Sequence, residues 1–119
     1  MSYNYALFIK HSDPDYITKI DDPSSPTGVV YDTAYPELIA AMKVELGKRV
    51  EAGDTDGNMY ITRDSDNKVT IERRWVSEAA ARAWADYSLA VHPEFNAPIP
   101  LEIRLKNLET SVETIIYPV

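Results

Sequence analysis

His11 and His92 are the only side chains here that titrate near neutral pH without perturbation. His11 closes an alternating apolar segment and precedes a run of aspartates. A His–carboxylate general base with Asp13 or Asp15 is therefore the first chemistry to consider. His92 falls at the end of a helical pattern, where the helix dipole favours a cation. The plainer reading makes His11 a solvated loop residue and His92 a helix-terminal cap. No serine stands in a sharp strand-to-helix elbow, and Ser77 is accounted for as a helix N-cap, so no convincing nucleophile is offered.

Carboxylates are the next group with possible chemistry. Asp13, Asp15, Asp21, Asp22 and Asp32 crowd residues 12 to 33 and suggest weak affinity for a hard cation, or simply a solvated acidic loop. Asp54-Thr-Asp56-Gly-Asn58 and Asp64-Ser-Asp66-Asn67 have the look of calcium loops. Neither fits the twelve-residue template, because the glycine is misplaced and the twelfth position of the first is Ser65; both are sound turn chemistry. The four glycines are isolated, so no phosphate-cradling loop exists. Arg63 and Arg73 stand out because strand alternation puts both on an apolar face, where an unpaired charge is costly. They either snorkel out at the strand ends or mark an anion site or an ion pair with the acidic loop.

The elements that position these groups belong to one domain, the size expected of 119 residues. An apolar fraction of 45% supports a core and argues against disorder. Nineteen acidic against 12 basic residues give a net charge of −7, and no Lys/Arg cluster interrupts it, so nucleic-acid binding is not expected. No cysteine is present, which excludes disulfides and thiolate metal sites. No apolar run approaches the ~20 residues of a membrane span, and no signal peptide is visible. A soluble, cytoplasmic protein without membrane contact is the expectation. Eight tyrosines against two phenylalanines suit half-wet surfaces, whether the rim of a core or a subunit interface.

Residues 3 to 10 alternate as a strand with two fairly apolar sides, and parity does not decide whether Ala6 and Phe8 or Leu7 and Ile9 face the core. Residues 12 to 33 show no period and read as a long acidic loop, a type often used as a lid or binding element. Pro36 and Glu37 start a helix whose expected buried stripe is Ile39, Met42, Leu46 and Val50, with Leu38 in support, and Gly53 ends it. A hairpin follows, its turn Asp64–Lys68 placing Ile61 opposite Ile71 and Thr62 opposite Thr70. Near Ser77 the period switches from two to 3.6, opening a second helix with the expected inner stripe Ala80, Ala83, Trp84, Tyr87 and Val91, closed by Pro93. Outside it runs a charge ladder of Glu78, Arg82 and Asp86. Leu101, Ile103 and Leu105 mark a half-buried strand, and residues 112 to 117 mark one more.

The order predicts an α+β, ferredoxin-like β-α-β-β-α-β domain with an additional C-terminal strand, its antiparallel sheet carrying two helices on one face. The other face would show Tyr60, Thr62, Thr70, Glu72, Arg74, Glu102, Arg104 and Lys106. Such a face is covered by water and charged stems, or by a second copy.

This order of elements, with Val69-Thr-Ile-Glu-Arg-Arg-Trp-Val-Ser-Glu-Ala-Ala-Ala-Arg-Ala-Trp84, resembles the dimeric α+β barrel superfamily. The resemblance is one of pattern over most of the chain and is specific only over residues 69 to 87. It implies two protomers packed sheet to sheet, with the terminal strand reaching towards the partner, but no single function. In the haem-degrading branch an asparagine, a tryptophan and a helical histidine serve the haem. Asn4 and Trp75 match the first two, but Arg82, Ala83 and Trp84 occupy the helix where the histidine should be, so no cofactor is expected.

The chain thus reads first as a homodimeric accessory or interaction module without defined catalysis. The alternative is a small-molecule-binding protein, or a cofactor-free oxygenase-type enzyme, with a site in a cleft on the open sheet face. Tyr60, Glu72, Arg74 and Arg104 would line that cleft.

Overall fold

The apolar alternation near the N-terminus becomes strand β1 (Tyr5–His11) at the centre of a five-stranded antiparallel sheet. The computed structural model describes residues 2–119. Strands β2 (Thr18–Asp21) and β3 (Val29–Asp32) form a separate two-stranded sheet, followed by helix α1 (Pro36–Glu51). Strands β4 (Tyr60–Arg63) and β5 (Val69–Trp75), helix α2 (Glu78–Glu94), and strands β6 (Glu102–Asn107) and β7 (Glu113–Tyr117) complete the chain. The large sheet runs β4-β5-β1-β6-β7.

Register decides what each face carries. Ile9 stands opposite Ile71 on β5 and Ile103 on β6, and Leu7 opposite Arg73 and Leu105, which makes one apolar face. Phe8 stands opposite Glu72 and Arg104, and Ala6 opposite Arg74, so the question parity left open is resolved with Ala6 and Phe8 on the charged face. The hairpin register is the expected one, Ile61 against Ile71 and Thr62 against Thr70. Asn67 takes a left-handed φ of 63° in its turn, a conformation asparagine tolerates.

Trp75 and Trp84, their rings 5.6 Å apart, anchor one core cluster with Leu7, Ile9, Ala81, Ala85, Ile103 and Leu105. A second joins Tyr16, Ile17, Leu38, Val69, Ile71, Val91 and Ala97. Ser77 opens α2 by accepting a hydrogen bond from the Ala80 backbone N–H at 3.1 Å. The buried stripe of α2 is Ala81, Trp84, Ala85, Ser88, Val91 and His92. It is rotated from the expected one: Ala83 is exposed, and the small residues Ala81, Ala85 and Ser88 let the helix approach β1, β5 and β6 closely. Pro93 lies inside the last turn rather than ending it, and α2 continues to Glu94.

The stripe expected for α1 is also corrected. Leu38 is its one buried residue, Ile39, Met42 and Leu46 are half-buried, and Val50 is exposed. Leu38 packs with Val69 and Ile71 of the sheet, while Ile39, Met42 and Leu46 touch the core only in part and also front an open space. Residues 12 to 33, expected to be an aperiodic loop, contain the β2–β3 hairpin. Its turn is closed by the Asp22 N–H donating to the Gly28 carbonyl, with Gly28 at φ 75°, and by Asp22 Oδ1 accepting from Ser24. Four-residue strands are too short for a period of two to register in a stretch so rich in proline and aspartate.

Candidate functional site

A chamber of about 690 Å³ lies between the apolar face of the sheet, α1 and the β2–β3 hairpin. The sheet supplies Leu7, Ile9, His11, Ile71 and Arg73; α1 supplies Ile39, Met42, Lys43 and Leu46. Val29, Val30 and Tyr31 of β3 form the outer wall, Gly57, Asn58 and Met59 the rim before β4, and Trp84 and Ser88 the α2 side. The hairpin is tied down by the Thr33 hydroxyl donating to the Tyr16 carbonyl and by the Ala34 N–H donating to the Asp15 carbonyl.

At one end of the chamber three rings stack. His11 lies on Tyr16 with centroids 3.6 Å apart, and His92 lies 5.4 Å from His11. The His92 Nδ1–H donates to the Ser88 carbonyl, so Nε2 accepts the Tyr16 hydroxyl proton at 2.8 Å. Both imidazoles are buried, and the solvated-loop and capping readings are corrected: relative exposure is 4% for His11 and 0% for His92. Burial, assisted by the neighbouring His92, lowers His11 to about 3. Burial also lowers His92 and raises Tyr16. All three are neutral at pH 7. The His–carboxylate base is not assembled either, because Asp13 accepts hydrogen bonds from the Tyr35 hydroxyl and the Asp15 N–H.

Arg73 is the one charged group on the sheet wall of this chamber. Its Nη2 lies 3.4 Å from Met59 Sδ, and its guanidinium carbon 5.8 Å from the centre of the Trp84 ring. Burial lowers its pKa to about 10, which leaves it protonated at neutral pH. Arg63, expected on the same face, escapes at the strand end and donates to the Pro14 carbonyl at 2.8 Å and the Thr18 hydroxyl at 3.0 Å. The Ser88 hydroxyl is fully buried beside the chamber and has no hydrogen-bond partner.

Tyr60, Glu72, Arg74 and Arg104 lie on the opposite, charged face. Arg74 Nε donates to Glu72 at 2.7 Å and its guanidinium sits 5.8 Å from the Tyr60 ring. Arg104 bridges Glu102 and Glu113, each at 2.8 Å, and covers the Phe8 ring at 4.9 Å. The large chamber is therefore on the other side of the sheet from these four residues.

The remaining motifs resolve into turns and core. Asp56 accepts from the Asn58 N–H, the Thr55 hydroxyl donates to the Arg74 carbonyl, and Asp64 and Asp66 pair with Lys10 and Lys68. Among the described residues no three His, Asp or Glu side chains come together as a metal ion requires. Asn4 donates to Glu109 and Trp75 is sealed in the core, so neither reaches the chamber. Among the described residues no helix is long and apolar enough to cross a membrane.

Sequence reasoning singled out Arg73 and His11 but not Tyr16, Ser88 or Met59. The available signal was the apolar pair Tyr16-Ile17 within the aspartate-rich stretch, and the spacing of Ser88 and His92 one turn apart on α2. No family model, curated protein or solved structure matches the chain.

Proposed function

We propose that this protein binds a small, largely apolar molecule in the chamber between its sheet and α1. The observation that carries this reading is the chamber itself. Protein interiors are close-packed, yet here Ile39, Met42 and Leu46 of α1 line, together with Leu7, Ile9 and Ile71 of the sheet, about 690 Å³ of open space. Ligand sites commonly fall between about 300 and 1,000 Å³ and combine apolar walls with a few polar groups. The neutral imidazoles favour binding over acid–base catalysis, since a base with a pKa near 3 is almost never charged at pH 7 and is a poor proton acceptor. The test is titration with Nile red, a neutral dye that brightens in apolar surroundings. Saturable one-to-one binding, abolished by Leu46→Trp, supports the reading; no saturable binding overturns it.

The ferredoxin-like plan belongs to the same reading. It is supported by β1 lying between β5 and β6 and by apolar side chains of both helices packing with Leu7, Ile9 and Ile71. The interposed β2–β3 sheet and the edge strand β7 are additions to that plan.

A second copy docking on the charged face is a separate reading, favoured by the alternation of charge there. Arg74 beside Glu72, and Arg104 between Glu102 and Glu113, form a pattern that a two-fold axis would set against its own complement. Tyr60 and the exposed Ile115 and Val112 add apolar area at the margins. Mass in solution tests it: a dimer that Phe8→Glu converts to monomer supports the interface, and a strict monomer at micromolar concentration removes it.

A further inference from the structure

We infer that the chamber selects a carboxylate, an apolar monoanion whose head group pairs with Arg73. This rests on the binding function proposed above and specifies the ligand. The walls differ in charge from the rest of the chain. The chain has 19 acidic and 12 basic residues, yet the chamber is lined by Arg73 and Lys43 and by no aspartate or glutamate. A wall of that sign within a chain of net charge −7 favours an anion locally.

Arg73 itself differs from the other arginines in its partners. Arg49, Arg74, Arg82 and Arg104 each hold a glutamate, and Arg63 holds a carbonyl and a hydroxyl. Among the described residues Arg73 has no oxygen partner, only the Met59 sulfur and the face of Trp84. Asp56 is close enough for its charge to be felt, but its Oδ1 is taken by the Asn58 N–H and it forms no ion pair with Arg73. A half-buried guanidinium with unused N–H donors is costly to leave unpaired, and its planar fork matches a carboxylate in two parallel hydrogen bonds.

The groups at the chamber also limit the charge a ligand can carry. Apart from Lys43, which stands on the exposed side of α1, the chamber's lining adds no second cation among the described residues, since His11 is held neutral by burial and Tyr16 keeps its proton. On the sheet wall one guanidinium balances one negative charge, so a monoanion is matched there and a phosphate dianion is left partly uncompensated unless it also reaches Lys43 at the α1 side.

The experiment displaces Nile red with decanoate, 1-decanol and decyl phosphate at pH 7.5, using wild type, Arg73→Met and Arg73→Lys. In wild type, decanoate should bind at least about tenfold more tightly than decanol, the discrimination typical of a charge-assisted hydrogen bond. Arg73→Met should remove that preference while leaving decanol affinity within about threefold, and Arg73→Lys should retain part of it. Because Arg73→Met deletes an unpaired charge, its melting temperature without ligand should equal or exceed that of wild type. Equal affinity for decanoate and decanol in wild type overturns the carboxylate assignment while the dye still reports a working chamber. A preference that survives in Arg73→Met, or a decyl phosphate affinity above that of decanoate, overturns it equally. Failure of Nile red itself to bind removes the chamber function and this inference together. If Arg73→Met does not fold, the wild-type comparison of the three decyl compounds decides alone.

Discussion

Lowering the pH from 7 to 5 should weaken this fold measurably, and the cause should be traceable to His11. The ring is 4% exposed and stacked on Tyr16, and burial lowers its pKa from 6.5 to about 3. Between those two values the unfolded chain takes up a proton that the native protein refuses. Stability is therefore fully present above pH 6.5 and falls as pH drops towards 3, by about 1.4 kcal/mol per unit. Integrated from pH 7 to 5, the loss is about 2 kcal/mol, a large part of the 5–15 kcal/mol typical of a domain. His92 is lowered in the same direction and adds to the loss. Asp13, Asp22 and Asp66 are held below their ordinary range and stay ionised across this window, so they do not mimic the effect. The assay is urea unfolding followed by the fluorescence of Trp75 and Trp84, both buried. His11→Gln loses the stacking contact at every pH, a constant offset, but should flatten the pH dependence by about 2 kcal/mol. Should His11→Gln lose as much stability as wild type between pH 7 and 5, the neutral-imidazole account of this end of the chamber is wrong.

Other outcomes follow from single contacts. Ser77→Ala removes the acceptor for the Ala80 N–H and should lower the unfolding free energy by about 1 kcal/mol. Leu38→Ala empties the one fully buried position of α1 and should cost about 2–5 kcal/mol, whereas Val44→Lys on its exposed side should stay within about 0.5 kcal/mol. Gly57 sits at φ +81° with an added Cβ only 3.0 Å from Val50 Cγ2, so Gly57→Ala should cost roughly 1–2 kcal/mol; all are read from urea midpoints.

Much of the scaffold was legible because it rests on local patterns. The switch of period at Ser77, Pro36 at the start of α1 and the Ile61–Ile71 pairing are each set by neighbours in sequence. The chamber was not legible, since a space depends on how far α1 stands from the sheet, and amphipathicity says only which side faces inward. Arg73 illustrates the boundary. Alternation put it on the apolar face, but only the fold shows that Arg63 leaves that face at the strand end while Arg73 stays among Met59 and Trp84. His11 reads as a solvated loop residue and His92 as a cap because each ends its element; in the fold Tyr16, distant from His92 in sequence, packs on both rings. The β2–β3 hairpin leaves no periodic signal because its strands are four residues long.

Arg73 and Arg74 are adjacent in β5, and the pleat sends one into the chamber and the other to Glu72 on the far side. What assigns them is the ladder to β1, in which Leu7 meets Arg73 and Ala6 meets Arg74. Deleting one residue between Asp64 and Lys68 and letting β5 slide by one would exchange their duties. Arg73 would go to the ion-paired surface, and Arg74 and Glu72 would both turn inward against apolar walls, an ion pair in place of a lone cation. The length of a surface turn thus governs whether an occupant would meet a lone cation or one already paired, without any turn residue touching it.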